Sequence, residues 1–316
     1  MTNKSENNAE SSVPESSTQT GQGNVEAMDK LVTLKELPSM GSLLLGIGKT
    51  LVKKGKGTRL PEATFAYNNQ RIDREHLNAY RKICKFESTD ALPLTYLHVL
   101  AFRMQLAMLL DESCDFPLLG LVHIHNDITR HKALPMDARY DFKCRFEPIA
   151  NHRKGKLIST VLEAFIDEEL VWEDRSINLC RMKNENFDND AAPAFEPLPV
   201  GRKPVASVAE PWKLPADLGR RYGKISGDRN PIHTRKFTAR MLGFKKQIAH
   251  GMWSKGRVCA AVEPQMGAKL RVRCDFKQPV FLPSKVHFYS ADEKKAKRAE
   301  IWNPQGNRVH LVARFD

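Results

Sequence analysis

Asp228, Asn230 and His233 bring a carboxylate, an amide and an imidazole together around Pro231, in the run Ser226-Gly-Asp-Arg-Asn-Pro-Ile-His233. Proline fixes its own φ and disfavours helix at the residue before it. Asp228 and His233 are therefore expected on a turn rather than along one helix face, and a turn can aim both side chains at one point, as acid–base chemistry requires. A second segment, Ile248-Ala-His-Gly-Met252, opens a run from Gly251 to Val262 that can be helical until Pro264 stops it. A helix start offers unpaired N–H groups and a partial positive charge. Acid, imidazole and N–H donor together suit proton transfer beside a carbonyl whose oxygen becomes negative. An Asp-Asn-Pro turn alone is often only a cap for the next helix; His233 and the glycine-led helix add the chemistry. His250 reads as a residue that orders the helix start rather than one that handles protons.

The stretch Tyr222-Gly-Lys-Ile-Ser-Gly-Asp-Arg-Asn-Pro-Ile-His233, followed by Ala239, Gly243-Phe244 and Ile248-Ala-His-Gly-Met252, resembles the signature of the MaoC-like dehydratases. Among these it is similar to the (R)-specific enoyl-CoA hydratases, or hydratase 2, of the hotdog fold. The resemblance runs from about Pro204 to Asp316, and Phe281-Leu-Pro-Ser284 resembles the strand region after the central helix. Arg235 departs from it, standing where many members carry an acid two residues after the histidine; that position is outside the family's catalytic pair.

The resemblance implies an α+β double hotdog, each repeat an antiparallel sheet wrapped around a central helix. It also implies reversible hydration of trans-2-enoyl thioesters to (R)-3-hydroxyacyl thioesters in fatty-acid metabolism. In that reaction Asp228 and His233 hold a water, the Gly251 N–H receives the thioester oxygen, and Asn230 orients the turn or a substrate amide. No cofactor and no metal is needed. The partner is an acyl thioester of coenzyme A or of acyl carrier protein, and a homodimer of the two-repeat chain is allowed. A hotdog thioesterase and a non-catalytic acyl-CoA-binding protein are the alternatives; the first needs no His233, the second no acid–base pair.

The elements that must position these residues occur twice. Helices are expected over 71–86 and 94–110, then strands near 118–128, 141–149, 157–166 and 170–178. After Val200 come a helix near 214–222, the helix from Gly251, and strands near 270–274, 286–289, 298–302 and 309–315. A long central helix followed by meandering strands, twice, reads as two α+β units. Residues 61–182 form the first unit and 204–316 the second, with a Pro- and Asn-rich linker at 183–203. Ala79-Tyr80-Arg-Lys82-Ile83 lies over Arg221-Tyr222-Gly-Lys224-Ile225 at an offset of 142. Carried on, Phe86 falls at the Asp228 position and Ala91 at the His233 position, so the first unit has neither acid nor imidazole there. The resemblance implies that this first hotdog is degenerate and that its lost overhang makes room for the acyl chain. His123, His125 and Asn126 are expected on a strand, both rings on one face without a third metal ligand; Met104 and Met108 read as core.

Residues 1–30, polar and rich in Ser and Asn, are expected to be disordered, and 31–60 to be a basic amphipathic lead-in. Gly48-Lys49-Thr50 is not a phosphate loop, because Leu43 stands where that loop needs glycine. The six cysteines are scattered without a Cys-x-x-Cys pair, and neither a secretory leader nor a membrane-length apolar run occurs; the cytoplasm is the expected location. From Gly201 to Asp316 there are 25 Lys and Arg against 9 Asp and Glu, a net of +16 within a chain of +13. Such localised charge implies an anionic partner. Arg271, Arg273 and Lys277 are candidates to meet coenzyme A phosphates or an acidic carrier, and nucleic acid is disfavoured for want of a recognisable motif.

Overall fold

The computed structural model describes residues 30–39, 41–43, 46, 57–87, 89–118, 121–183, 187, 193–201 and 210–316. The tail expected at 1–30, apart from Lys30, lies outside these residues, as do part of the lead-in and part of the linker. The first half contributes strands β1 (Leu31–Thr33) and β2 (Thr64–Gln70), helices α1 (Arg74–Cys84) and α2 (Tyr96–Leu109), then β3 (Leu121–Arg130), β4 (Tyr140–Phe146), β5 (Ala150–His152), β6 (Gly155–Ile166) and β7 (Glu169–Arg181). The second half contributes β8 (Trp212–Leu214) and helices α3 (Leu218–Ser226), α4 (Pro231–Thr234), α5 (Lys236–Met241) and α6 (Gly251–Val262). Strands β9 (Leu270–Phe276), β10 (Ser284–Glu293), β11 (Ala296–Trp302) and β12 (Val309–Phe315) follow.

The strands form one sheet in the order β1-β2-β4-β6-β7-β3-β9-β12-β11-β10-β8, with β5 on β6. Outward from the β3–β9 seam the two halves repeat: β3-β7-β6-β4-β2 on one side, β9-β12-β11-β10-β8 on the other. Each half wraps its sheet around one long helix, α2 or α6, so the fold is the expected α+β double hotdog. The seam is antiparallel and pairs His125 through Arg130 with Asp275 through Leu270. It joins the repeats through backbone hydrogen bonds and closes an edge that each would otherwise expose.

The local chemistry explains the elements. Asp73 caps α1 by accepting from the N–H groups of Glu75 and His76. Helix α2 is apolar on nearly every side, with Tyr96, Leu97, Ala101, Met104 and Met108 fully buried, as suits the central helix of its half. Helix α6 buries Val258, Cys259 and Val262 in the same way, and also Lys255, whose ammonium donates to the Asn126 carbonyl, Asn126 Oδ1 and the Val272 carbonyl. Three acceptors replace the water that this charge has lost. The related tyrosines Tyr80 and Tyr222 are both buried and face one another with ring centroids 6.4 Å apart. No helix among the described residues is long and apolar enough to cross a membrane.

The short elements β1, β2, β5, β8, α4 and α5 were not among the expected ones. Three-residue strands carry no readable alternation, and β2 runs through Asn68 and Asn69, the latter at φ 66°.

Candidate active site

Two glycines on one face of α3 create the seat for the loop that carries Asp228 and His233. A Cβ at Gly219 would stand 2.0 Å from the His233 carbonyl oxygen, and one at Gly223 would stand 2.5 Å from that of Asp228. Only bare backbone lets the loop lie against the helix there. Gly227 ends α3 in the left-handed region at φ 81°, turning the chain so that Asp228 leaves the helix axis. Asp228 Oδ1 then accepts from the Asn230 N–H at 3.0 Å. Asn230 in turn caps α4, its Oδ1 accepting from the Ile232 N–H at 3.2 Å with Pro231 at the first helical position. Asn230 therefore orients the turn, and His233 sits on a one-turn helix rather than on open turn backbone.

The fold brings together Asp228, His233 and a third group, His250. Asp228 Oδ2 lies 3.8 Å from His233 Nε2 and 3.7 Å from His250 Nε2. The two imidazoles stack with centroids 3.7 Å apart, and Tyr222 packs on His250 at 4.9 Å. His233 Nδ1 donates to the Ile248 carbonyl at 2.8 Å, which leaves Nε2 as a lone pair facing the carboxylate. His250 Nε2 donates to the Asp228 carbonyl at 2.9 Å, so this ring pins the loop from the far side. These three residues form the group whose ligand atoms lie within 4.8 Å of one another and could hold a metal. In this arrangement His250 turns a proton, not a lone pair, toward Asp228.

Burial and charge set the protonation states. Desolvation raises the Asp228 carboxyl, yet the His250 and His233 rings and the Asn230 N–H outweigh it and hold its pKa below the usual carboxylate value. The part of Asp228 that stays accessible, 30 % of the side chain, opens into a cavity. Burial lowers His233 despite the opposing pull of Asp228, and burial with the neighbouring His233 lowers His250 to about 3. At neutral pH the set is one carboxylate and two neutral imidazoles.

The site opens on a cavity of about 770 Å³ that runs between the repeats. Its second-half wall includes Asp228, Asn230, His233, Gly251 and Met252. Helix α6 starts at Gly251 with no side chain capping its first N–H groups, so they remain available at the cavity wall. A Cβ at Gly251 would come within 3.0 Å of the Phe276 ring, so glycine keeps this wall close-packed. The first-half wall is α2 and β3: Val99, Phe102, Leu106 and Leu109, with the polar groups His98, Gln105 and His123. His98 Nδ1 is bonded to Asp174 Oδ2 at 2.5 Å, whereas Gln105 Nε2 and His123 Nε2 make no hydrogen bond with protein. Phe86 and Ala91 are not among the lining residues; Phe86 stacks on Tyr80 instead.

Two expectations are corrected. A β-bulge between His123 and His125 breaks the alternation of β3 and sends their rings to opposite faces. The His123 ring meets His98 and Phe276 on the cavity side, while His125 stacks on Phe195 with Nδ1 at 2.6 Å from Asp275 Oδ1. Arg271 and Arg273 do not reach the cavity. Arg271 forks onto Asp127, and Arg273 pairs with Asp316 and Glu196. Lys277 does line it, with its ammonium bonded to Asp275 Oδ2 and the Leu198 carbonyl. The basic cavity residues that sequence reasoning missed are Arg153, Lys154, Arg181 and Arg229.

Residues 197–312 match the family described as MaoC like domain. The chain is 27% identical over 255 residues to 3-hydroxyacyl-thioester dehydratase X of Mycobacterium tuberculosis, covering 81% of this chain and 89% of that one. A crystal structure of HtdX from Mycobacterium tuberculosis superposes with a TM-score of 0.68 at 27% identity, over 79% of this chain and 98% of that one. A MaoC-like dehydratase from Phytophthora capsici shares the fold at a TM-score of 0.64 and 18% identity, over 82% and 96% of the two chains.

Proposed function

Because the second repeat is a MaoC-like dehydratase domain, and the chain accordingly a hydro-lyase, we propose that it interconverts trans-2-enoyl and (R)-3-hydroxyacyl thioesters. The observation that carries this reading is the Asp228 Oδ2–His233 Nε2 gap of 3.8 Å, two acceptors facing one another across the space of a bridging water, beside the open start of α6. The thioester carbonyl takes the Gly251 N–H, and the helix start stabilises the enolate oxygen as charge develops. Asp228 and His233 accept the two protons of one water as hydrogen bonds. As the water oxygen bonds to C3, one proton passes to the pair, and the pair returns it to C2. Hydroxyl and proton together account for the water consumed, and the reverse path expels it.

The first repeat has Phe86 and Ala91 at the positions related to Asp228 and His233, and it acts as a wall. The acyl chain lies along Val99, Phe102, Leu106 and Leu109 of α2, so chain-length preference resides in the first repeat. The (R) configuration is supported by the family resemblance of the Asp228–His233 turn. A cytoplasmic location is supported by the six cysteines, all free and buried, which suit a reducing compartment.

The test is steady-state hydration of crotonyl-CoA and longer trans-2-enoyl-CoAs, followed by loss of enoyl absorbance, with dehydration of the separate 3-hydroxyacyl enantiomers. Hydration with turnover of the (R) enantiomer is expected. Release of free thiol without loss of the enoyl group would reassign the site as a thioesterase.

A further inference from the structure

One 29-residue segment of the second repeat, 218–246, carries nine Lys and Arg and a single acid, Asp228, which faces the catalytic cavity. All nine cations are exposed: Arg220, Arg221 and Lys224 on α3, Arg229 on the loop, and Arg235, Lys236, Arg240, Lys245 and Lys246 on and around α5. Among the described residues Arg221 with Asp217 is the one ion pair any of them makes. Elsewhere in this half Arg271, Arg273, Lys277, Lys297, Arg298 and Arg314 each have a carboxylate partner. Leaving the rest unpaired costs self-repulsion, which a partner of opposite charge would relieve.

The same segment displays two large apolar side chains. Phe237 and Met241 are 72% and 73% exposed, the most exposed large hydrophobic residues among those described. They stand four apart on α5, hence on one face, while Ala239 between them is fully buried and anchors the helix. Arg220 on α3 donates to the Thr234 carbonyl at the end of α4, and Arg240 on α5 donates to the Lys245 carbonyl, so α3, α4, α5 and the following loop form one surface. An apolar centre ringed by cations is the pattern of a protein-docking face, not of a solvated surface. It also lies at the catalytic entrance: α5 follows the His233 helix directly, and Arg229 and Phe244 line the cavity.

We propose that this face docks a small acidic carrier protein, which delivers the acyl group on a pantetheine arm into the cavity. The inference rests on the thioester reading above and names who presents the thioester. Phe237 and Met241 fill an apolar depression on the carrier, and Arg235, Lys236, Arg240, Lys245 and Lys246 pair with its acidic residues. A free nucleotide thioester has phosphates for a few cations and one adenine face to stack on Phe237. That leaves Met241 and most of the nine cations without a partner, whereas a protein surface can engage both apolar side chains and the cations around them.

The experiment uses the full-length protein with one trans-2-octenoyl group presented three ways: on a purified holo acyl carrier protein, on coenzyme A and on pantetheine. The variants are Lys236→Glu/Arg240→Glu and Phe237→Ser/Met241→Ser, all at exposed positions outside the cavity lining. Each is expected to raise KM for the carrier substrate at least about tenfold, while kcat/KM for the pantetheine thioester stays within twofold. Direct titration with holo carrier, independent of turnover, should show the same loss of binding. If the charge reversal raises KM equally for coenzyme A and carrier, the cations serve nucleotide phosphates and the proposal is overturned. It is equally overturned if carrier kinetics are unchanged while binding to phosphatidylglycerol vesicles is lost, which would make the face a membrane contact. Failure of wild type to turn over any of the three thioesters would refute the proposed reaction, and the binding titration alone would then decide the docking face.

Discussion

Replacing Gly223 by alanine should damage the chemistry while leaving the fold standing. The new methyl would sit 2.5 Å from the Asp228 carbonyl oxygen, whereas ordinary contact begins near 3.4 Å, so the loop must retreat by about 0.9 Å. The same carbonyl accepts the His250 Nε2–H at 2.9 Å, and that bond lengthens with it. Asp228 Oδ2, now 3.8 Å from His233 Nε2, is carried out of the position that the proposed bridging water requires. A misplacement of about 1 Å costs on the order of 100-fold in rate, and that is the expected fall in kcat for crotonyl-CoA. Stability moves less, because alanine within α3 regains roughly 1 kcal/mol of helix propensity against the strain. Gly267→Ala is the control, since the nearest heavy atom to its Cβ is at 3.9 Å. Thermal unfolding and circular dichroism would establish that both variants fold. Should Gly223→Ala fold normally and keep its rate within twofold, the loop-on-helix seat does not position the acid and the reasoning fails.

Asp228→Asn and His233→Gln keep approximate shape but remove proton transfer, so each should lower kcat by at least about 100-fold with the fold intact; wild-type rates in both folded variants would remove the catalytic assignment. The lowered pKa values of Asp228 and His233 keep both groups in their basic forms below their ordinary titration points, so the acid limb of the kcat/KM profile should lie below about pH 6.5. Stability has its own pH signature: His123 and His250, held neutral by burial to about 3, gain a proton in the unfolded chain first. The urea midpoint should therefore fall as pH drops from about 6.5 toward 4, and a midpoint constant over that range contradicts the buried neutral histidines. Lys255→Met would leave the Asn126 and Val272 acceptors unsatisfied and should destabilise by about 3 kcal/mol in denaturant titration. Finally, separate expression of the chain on either side of the 183–203 segment should yield halves that need one another, because β3 and β9 lose their seam partners; a monomeric, fully active 204–316 fragment would refute this.

Much of this architecture is written locally. The apolar runs of α2 and α6, the recurring strands after each, and the punctuation by Gly227, Pro231 and Pro264 depend on neighbours a few residues apart, so spacing reveals them. Asp228, Asn230 and His233 are near in sequence, and the proline-led turn between them is a short-range property. The short strands β2 and β8 escaped because they exist only through pairing with β4 and β10, and three to seven residues carry too little pattern to announce that.

What tertiary structure decided is which distant groups meet. His250, 22 residues past Asp228, reaches back to its carbonyl only because α6 begins beside the loop, and Gly219 and Gly223 matter only because the loop descends onto them. The β3 bulge reversed the expected facing of His123 and His125, and carboxylates on β3 and at the chain terminus claimed Arg271 and Arg273. Spacing along the chain determines local conformation because φ, ψ and side-chain periodicity act over a few residues. Partner choice across the fold depends on register and on which surfaces burial brings into contact, and those are properties of the packed chain.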